Sequence, residues 1–332
     1  MSCRYLKIED FCSTGSGGTP SRSKPEYYEG GDIPWIKSGD LKDSKIYEAN
    51  EYITAAGLEN SSAKIVEKDS ILIAMYGATV GRLAILGINA ATNQAICNIR
   101  PDTTIADMKY LYYFLKSKFS YFVENAVGGA QPNISQGLIK SLEVPLPSLD
   151  EQKRIADILD KAAGVCQKRE QAIKLADDFL RAKFLEMFGT PANNIHRFPK
   201  GTIRDLVDSV NYGTSAKASI DSGEYPILRM GNITYQGRWD FTDLKYLDLS
   251  VKEKDKYLVK EGDLLFNRTN SKELVGKTAV YEEDRPMAFA GYLIRVRPNS
   301  IGNNYYISGY LNSIHGKITL MNMCKSIVGM AN

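Results

Sequence analysis

The chain has 332 residues, 43% of them hydrophobic and 24% charged, with a formal net charge of +3. That length suits two domains of ordinary size, each with its own core, and the composition excludes a disordered or low-complexity chain. No apolar run reaches the roughly 18 residues of a membrane span, the start Met1-Ser2-Cys3-Arg4-Tyr5 lacks the apolar stretch of a secretory signal, and so small a charge does not by itself mark a nucleic-acid binder.

A cytoplasmic protein without membrane contact is the expectation. The five cysteines, Cys3, Cys12, Cys97, Cys166 and Cys324, are scattered, odd in number and without a CxxC pair. They read as reduced thiols rather than as a disulfide framework or zinc site, and with only His196 and His315 as histidines no metal centre is expected.

From the N-terminus, Gly15-Ser16-Gly17-Gly18-Thr19-Pro20 and Gly30-Gly31-Asp32 read as turns. Ser70–Met75 and Leu83–Leu86 are short apolar runs bounded by glycine, the pattern of buried strands. Asp107–Lys116 is a helical segment whose aromatics suit a core face better than a base-stacking platform, and Gly128–Asn133 is turn chemistry again. Together they describe a mixed α/β module with many short strands.

A different pattern follows. Pro147 leads into Ser148-Leu149-Asp150-Glu151, a capping box in which Ser148 accepts from the amide of Glu151 and Glu151 reaches back to the amide of Ser148. Apolar residues then recur in two adjacent heptad columns, Ile158, Val165, Ala172, Phe179 and Leu159, Cys166, Ile173, Leu180, Met187, joined by Ile155, Ala162 and Ala176. This predicts one helix stopping at Gly189-Thr190-Pro191 and spanning about 60 Å at 1.5 Å per residue. An apolar face of that extent needs a partner helix; the alternative is two shorter helices kinked at Gly164.

Beyond the helix the first module is restated. Ile33-Pro34-Trp35-Ile36-Lys37-Ser38-Gly39-Asp40-Leu41 returns as Tyr225-Pro226-Ile227-Leu228-Arg229-Met230-Gly231-Asn232-Ile233. Asp69–Ile73 pairs with Asp263–Asn267, Gly81-Arg82 with Gly276-Lys277, Arg100-Pro101 with Arg297-Pro298, Asp107–Lys116 with Asn304–Asn312, and Val127-Gly128 with Val328-Gly329. The expected organisation is a module over 1–147, a helix over 148–189 and a second module over 190–332 that lacks counterparts of residues 132–189. Two similar modules held apart suit a bipartite ligand.

The stretch Val144-Pro145-Leu146-Pro147-Ser148-Leu149-Asp150-Glu151-Gln152-Lys153-Arg154-Ile155 resembles the signature that opens the conserved helix of specificity subunits of type I restriction-modification enzymes. The preceding module resembles that family's target recognition domains in Gly18-Thr19-Pro20-Ser21, Ile33–Ile36, Gly39-Asp40-Leu41, Gly77–Arg82, Asn93-Gln94-Ala95 and Gln131–Ser135. The resemblance implies an α+β architecture: two mixed α/β target recognition domains separated by a long coiled-coil-type helix, with a second, distal helix missing. It also implies that each domain reads half of a split duplex DNA sequence, while the helix sets the spacing and docks methyltransferase subunits, with a restriction subunit as a further partner. S-adenosylmethionine, ATP and magnesium would belong to those partners, none to this chain.

Base edges in the major groove carry distinct donor and acceptor patterns, which Arg, Lys and Asn read well, while most polar contacts go to phosphate. The candidates are polar residues in glycine-flanked loops. In the first module these are Arg22, Lys24, Lys37, Ser38, Arg82, Gln131 and Asn133, with Lys37 and Arg82 foremost; in the second, Arg229, Asn232, Arg268, Asn270, Lys272 and Lys277. Along the helix, Ile155, Ile158, Leu159, Val165, Ile173, Phe179 and Leu180 are the candidates for packing against a partner, including a second copy of the chain.

Two other classes compete. A stand-alone methyltransferase of the partner's kind needs an Asn/Asp-Pro-Pro-aromatic motif, and no Pro-Pro pair exists; neither Gly15–Gly18 nor Gly77–Arg82 fits a nucleotide-phosphate loop. Glu151-Gln152-Lys153 resembles a nuclease Glu-x-Lys, but a helix start accounts for it. The third class is a truncated interaction protein that dimerises or sequesters methyltransferase subunits without productive specificity.

Overall fold

The computed structural model describes residues 4–129, 131–190, 192–269, 276–324, 326–327 and 330–331. Packing divides the chain into two compact units, residues 1–168 and 169–332, so the boundary falls inside the helix Leu149–Phe188. The sequence treats that helix as a segment of its own; by its contacts, each half belongs to the unit it adjoins.

In the first unit β1 (Arg4–Lys7) pairs antiparallel with β11 (Glu143–Leu146). One sheet contains β2 (Cys12–Ser16), β4 (Ser44–Ile46), β7 (Ile71–Ala74), β8 (Leu83–Leu86) and β10 (Ile96–Pro101), in the order β2-β10-β7-β8-β4. A second contains β3 (Ile33–Ile36), β5 (Glu51–Ile53), β6 (Ile65–Val66) and β9 (Ala90–Thr92), in the order β5-β3-β9-β6. Strand alternation distributes β7 between two cores. Ile71 and Ile73 join the core that includes Leu111 and Leu115 of helix Met108–Ser117, while Leu72 and Ala74 join Ile36, Leu86 and Ile96. A strand buried on both faces reads as a continuous apolar run, which is why its sequence was recognisable.

The second unit repeats this plan. β12 (Val207–Tyr212), β16 (Leu264–Asn267), β17 (Thr278–Val280) and β19 (Leu293–Pro298) form a sheet ordered β12-β19-β16-β17. β13 (Tyr225–Leu228), β14 (Lys245–Leu247), β15 (Leu258–Val259) and β18 (Met287–Phe289) form one ordered β14-β13-β18-β15. The smaller sheet of the first unit and its counterpart in the second each contain one parallel pair, β3 with β9 and β13 with β18, and in the first unit β4 also pairs parallel with β8. β4 has no equivalent among the described residues of the second sheet.

The register corrects two alignments made from sequence. Ile71 faces Ile85 as Leu264 faces Val280, so Ile71 corresponds to Leu264, and Asp69 to Gly262 rather than to Asp263. Asp69 (φ 65°) and Gly262 (φ 84°) both occupy the left-handed region at the turn into the strand, where Gly is free of strain and Asp is among the better-tolerated alternatives. Likewise Asp107 corresponds to Asn303 rather than Asn304, each capping its helix by accepting from an amide three residues on, that of Tyr110 or Tyr306. The proposed match of Val127-Gly128 to Val328-Gly329 lies outside the described residues.

Gly15 and Ser16 end β2 rather than forming a turn. Gly17 and its counterpart Gly213 are needed for closeness: a Cβ there would stand 2.0 Å from the carbonyl oxygen of Thr92, or 2.3 Å from that of Phe289. The helix-segment aromatics divide between copies, Tyr110 and Tyr112 being buried while Tyr305 and Tyr306 are exposed.

The long helix is continuous through Gly164 and ends at Gly189, whose φ of 66° and amide bond to Leu185 O (2.8 Å) close it. Its capping box is half formed. Ser148 Oγ accepts from the amide of Glu151 (3.4 Å), but the Glu151 carboxylate takes the guanidinium fork of Arg154 instead (2.6 and 2.8 Å). Gln152, fully buried, seats the helix on the first unit: its carbonyl accepts from the amide of Asp107 (2.9 Å) and its NH2 donates to Pro147 O (2.9 Å) and Ile105 O (3.1 Å). Asp160 adds bonds from Lys109 Nζ and Tyr113 OH (2.6 Å). In the second unit Asp177 pairs with Arg238, and Phe184 and Phe188 pack on Tyr306.

Candidate nucleic-acid interface

The repeated strand explains the repeated turn. After β3 the amide of Lys37 donates to Asp40 Oδ2 (2.8 Å); after β13 the amide of Arg229 donates to Asn232 Oδ1, also at 2.8 Å. Each copy thereby presents a basic residue at the same place, immediately beyond a strand whose core residues, Ile36 or Leu228, are fully buried.

In the first unit Lys37 does not stand alone. Its ammonium and the guanidinium of Arg22 (2.6 Å) bind the two oxygens of Glu51, on the strand paired with β3. The hydrogen bond from Lys37, then that from Arg22, holds the Glu51 carboxyl below its usual range, so it stays ionised at neutral pH. Arg22 also lies over the rings of Tyr28 (4.4 Å) and Trp35 (5.1 Å). Lys24 lies apart, its ammonium bonded to Tyr27 OH (3.0 Å). Ser38 is half-buried in the short 3-10 turn Ser38–Asp40.

Arg82 forms a separate ion pair with Asp43 (2.8 Å), at a cleft of about 210 Å³ that Lys116 and Phe119 also line. Gln131 and Asn133 belong to a loop clipped to the end of β7: Gly77 N donates to Pro132 O (2.8 Å) and Ile134 N to Met75 O (2.9 Å). Gln131 is exposed, and beside this loop Tyr76 is exposed as well.

The second unit divides its candidates more sharply. Arg229 NH2 donates to Asp243 through both its carboxylate (2.8 Å) and its main-chain oxygen (2.9 Å). With Asp240, Thr242 and Tyr292 it lines a cleft of about 540 Å³. Arg268 donates to Gly291 O (3.3 Å) and covers the exposed ring of Tyr212 at 5.3 Å.

Two further candidates, Asn232 and Lys277, also line the Arg229 cleft but direct their side-chain donors into the protein. Asn232 is buried and its NH2 holds Asp240 O (2.8 Å) and Asp243 O (3.1 Å), while Lys277 is buried with its ammonium donating to Met230 O (2.8 Å) and Ile233 O. Both side chains are spent on closing the loop that carries Arg229, and burial pushes the Lys277 ammonium below its ordinary range. Asn270 and Lys272 lie outside the described residues.

On the helix, Ile155 packs against the first unit's core, whereas Ile158, Leu159, Val165, Ile173, Phe179 and Leu180 are all exposed. The sequence missed the counter-ions Glu51, Asp43 and Asp243, because nothing in a linear pattern joins Arg22 to a carboxylate 29 positions on. It also missed Tyr76, Tyr212 and Tyr292, whose only local signal is an aromatic beside a glycine or a basic loop. Among the described residues no helix is long and apolar enough to cross a membrane, and no group of three or more His, Cys, Asp or Glu is placed to hold a metal ion.

Comparison with known proteins decides the family. The family model described as type I restriction modification DNA specificity domain matches twice, over residues 4–175 and 198–330. The chain belongs to this family. The two matches reproduce the internal repeat, and the first extends into the long helix.

Among individual relatives, a type I restriction enzyme specificity subunit of Escherichia coli is 33% identical over 150 residues, 44% of this chain and 37% of that protein. The MjaIX specificity subunit of Methanocaldococcus jannaschii is 33% identical over 187 residues, 55% of this chain and 42% of that protein. The chain thus spans less than half the length of these two. The EcoKI specificity subunit of Escherichia coli K12 is 24% identical over 321 residues, 90% of this chain and 68% of that protein. The fold is shared with the S subunit of a type I restriction-modification system from M. genitalium, with a TM-score of 0.55 at 15% identity over 97% of this chain and 80% of that one.

Proposed function

We propose that the chain is a DNA-recognition subunit of a type I restriction-modification complex, working in the cytoplasm. Each module reads one half of a split duplex sequence; the helix sets the spacing and docks methyltransferase subunits, and a restriction subunit can join them. S-adenosylmethionine, ATP and magnesium are assigned to those partners. The observation that carries this reading is the turn built twice with a basic residue at its head, Lys37 and Arg229, on a strand of the same register. Contacts to phosphate would position the modules and contacts to base edges would specify the sequence.

The test is single-molecule methylome sequencing of a host carrying this chain with its methyltransferase partner. The expected result is adenine methylation at one sequence with two specified halves and a fixed gap; methylation without such a sequence, or by the chain alone, overturns the reading.

The exposed stripe from Ile158 to Leu180 supports one addition, self-association or partner docking through the helix. A stripe this apolar gains from burial against another helix. Ile158→Asp or Leu180→Asp should abolish a dimer in sedimentation velocity, since a carboxylate would enter the apolar seam. An unchanged sedimentation coefficient of a dimeric wild type would refute that addition.

A further inference from the structure

Resting on the DNA reading above, we propose that Glu51 is a positioning residue that makes Arg22 and Lys37 act as one recognition unit for the first half-site. The geometry is that of a bridge: Arg22 NH2 on Oε2 at 2.6 Å, Lys37 Nζ on Oε1. One carboxylate thereby fixes two cations from separate segments of the chain, the loop before the 3-10 turn Pro25–Tyr27 and the residue that follows β3.

The support beneath the bridge is rigid. Trp35 is 1% exposed, its Nε1 donates to Gly18 O (3.1 Å), and its indole meets the Tyr28 ring edge-on at 6.0 Å. Tyr28 OH in turn donates to Pro20 O (2.5 Å). The Arg22 guanidinium lies over both rings, so its plane and its distance from Glu51 are set together. A guanidinium has five N–H donors, and those not spent on Glu51 are available to a guanine edge or a phosphate in a fixed direction. Without the carboxylate, Arg22 and Lys37 become two independent, flexible cations close enough to repel each other.

Among the described residues the second module lacks this bridge. Glu51 lies opposite Trp35 in the β3–β5 register, and the matching position opposite Ile227 is Lys245. There a different residue, Asp243, holds a single cation, Arg229, twice. The two copies therefore share a backbone and differ in the wiring of their charges. A change at Glu51 should alter one half-site alone.

The experiment is binding-site selection from randomised duplex DNA with the full chain, followed by salt titrations on the selected site. Three variants are compared with wild type: Glu51→Gln, which keeps the shape and removes the charge; Glu51→Asp, which keeps the charge on a shorter arm; and Asp243→Asn as the mirror control. For Glu51→Gln, discrimination in one half-site should fall about tenfold, within the range of one misplaced bidentate contact. The other half should be unchanged, and the salt dependence of binding should steepen by about one phosphate charge as the cations are released. Glu51→Asp should retain part of the discrimination, and Asp243→Asn should disturb only the opposite half.

A purely structural role would lower the melting temperature without moving base preference. Glu51→Gln that leaves both half-sites and the salt slope as in wild type, or that degrades both halves equally, overturns the proposal. A wild-type chain that selects no split sequence instead overturns the DNA reading itself, a result distinguishable from failure at Glu51.

Discussion

Gln152 is the residue through which the long helix should be most easily unseated from the first unit. Gln152→Ala removes a side chain with no solvent exposure and leaves the Asp107 amide and the carbonyls of Ile105 and Pro147 without their partners. At about 0.5–1.5 kcal/mol for each hydrogen bond, the three together place the loss at roughly 3 kcal/mol. With a urea slope of about 2 kcal/mol per molar, the unfolding midpoint of this unit should fall by about 1.5 M. The chain contains two tryptophans, Trp35 in the first unit and Trp239 in the second. Trp239→Phe therefore leaves Trp35 fluorescence to report the first unit, and Trp35→Phe leaves Trp239 to report the second. Gln152→Leu should cost nearly as much as Gln152→Ala, because it restores volume without restoring donors and acceptors. A midpoint shift below about 0.3 M for both variants, or an equal shift seen by Trp239, would refute the assignment of these bonds as the helix's seat.

Asp263, only 4% exposed, takes both arms of Arg297 (2.7 and 3.0 Å) and the amide of Lys260 (2.9 Å); Asp263→Asn should destabilise the second unit by about 3–5 kcal/mol in urea unfolding followed by Trp239. Lys317 is buried, its ammonium has no hydrogen-bond partner among the described residues, and desolvation followed by the charges of Arg181 and Lys277 lowers it from 10.5 to about 8. Between those two values the unfolded chain holds the proton that the folded chain has lost, so the second unit should gain stability as pH rises from 8 to 10.5. Lys317→Met should flatten that rise in denaturation curves taken across the interval, and a slope unchanged by the substitution would refute it. Lys37→Ala should weaken duplex binding and leave thermal stability nearly untouched, whereas Lys277→Ala should lower the melting temperature by exposing the unpaired carbonyls of Met230 and Ile233. Paired binding titrations and melting curves separate the two.

Legibility followed burial. Strands such as β7 and β16 carry nearly uninterrupted apolar runs, so the repeat was visible before any contact was known. The helix was equally plain from its stripe and its glycine stop. Alignment slipped by one position at Asp69 because a turn accepts Asp in one copy and Gly in the other, so the neighbouring Asp263 was matched by letter, and at Asn304 because Asn303 and Asn304 are the same residue and only the cap geometry tells them apart. The candidate site was legible as loops but not as side-chain directions. Lys37 and Lys277 look alike in a list of loop lysines; one is half-buried on Glu51, the other turned inward onto two carbonyls. Glu51 had no signal because its partners are distant in the chain and its own strand is three residues long.

The twin turns at Lys37–Asp40 and Arg229–Asn232 separate grammar from vocabulary. A carboxylate and an amide oxygen accept the same backbone N–H at the same 2.8 Å, so one copy carries a full negative charge where the other carries none, and the main chain follows the same path. The exchange is not free in the second copy, where Asn232→Asp would keep the bond from the Arg229 amide but turn an oxygen toward the carbonyls of Asp240 and Asp243 that the Asn232 NH2 now holds. A lineage, or an engineer, drawing variants from such a scaffold would therefore have to change the acceptor together with the carbonyls around it, because the shared oxygen meets only part of the cost of holding the loop.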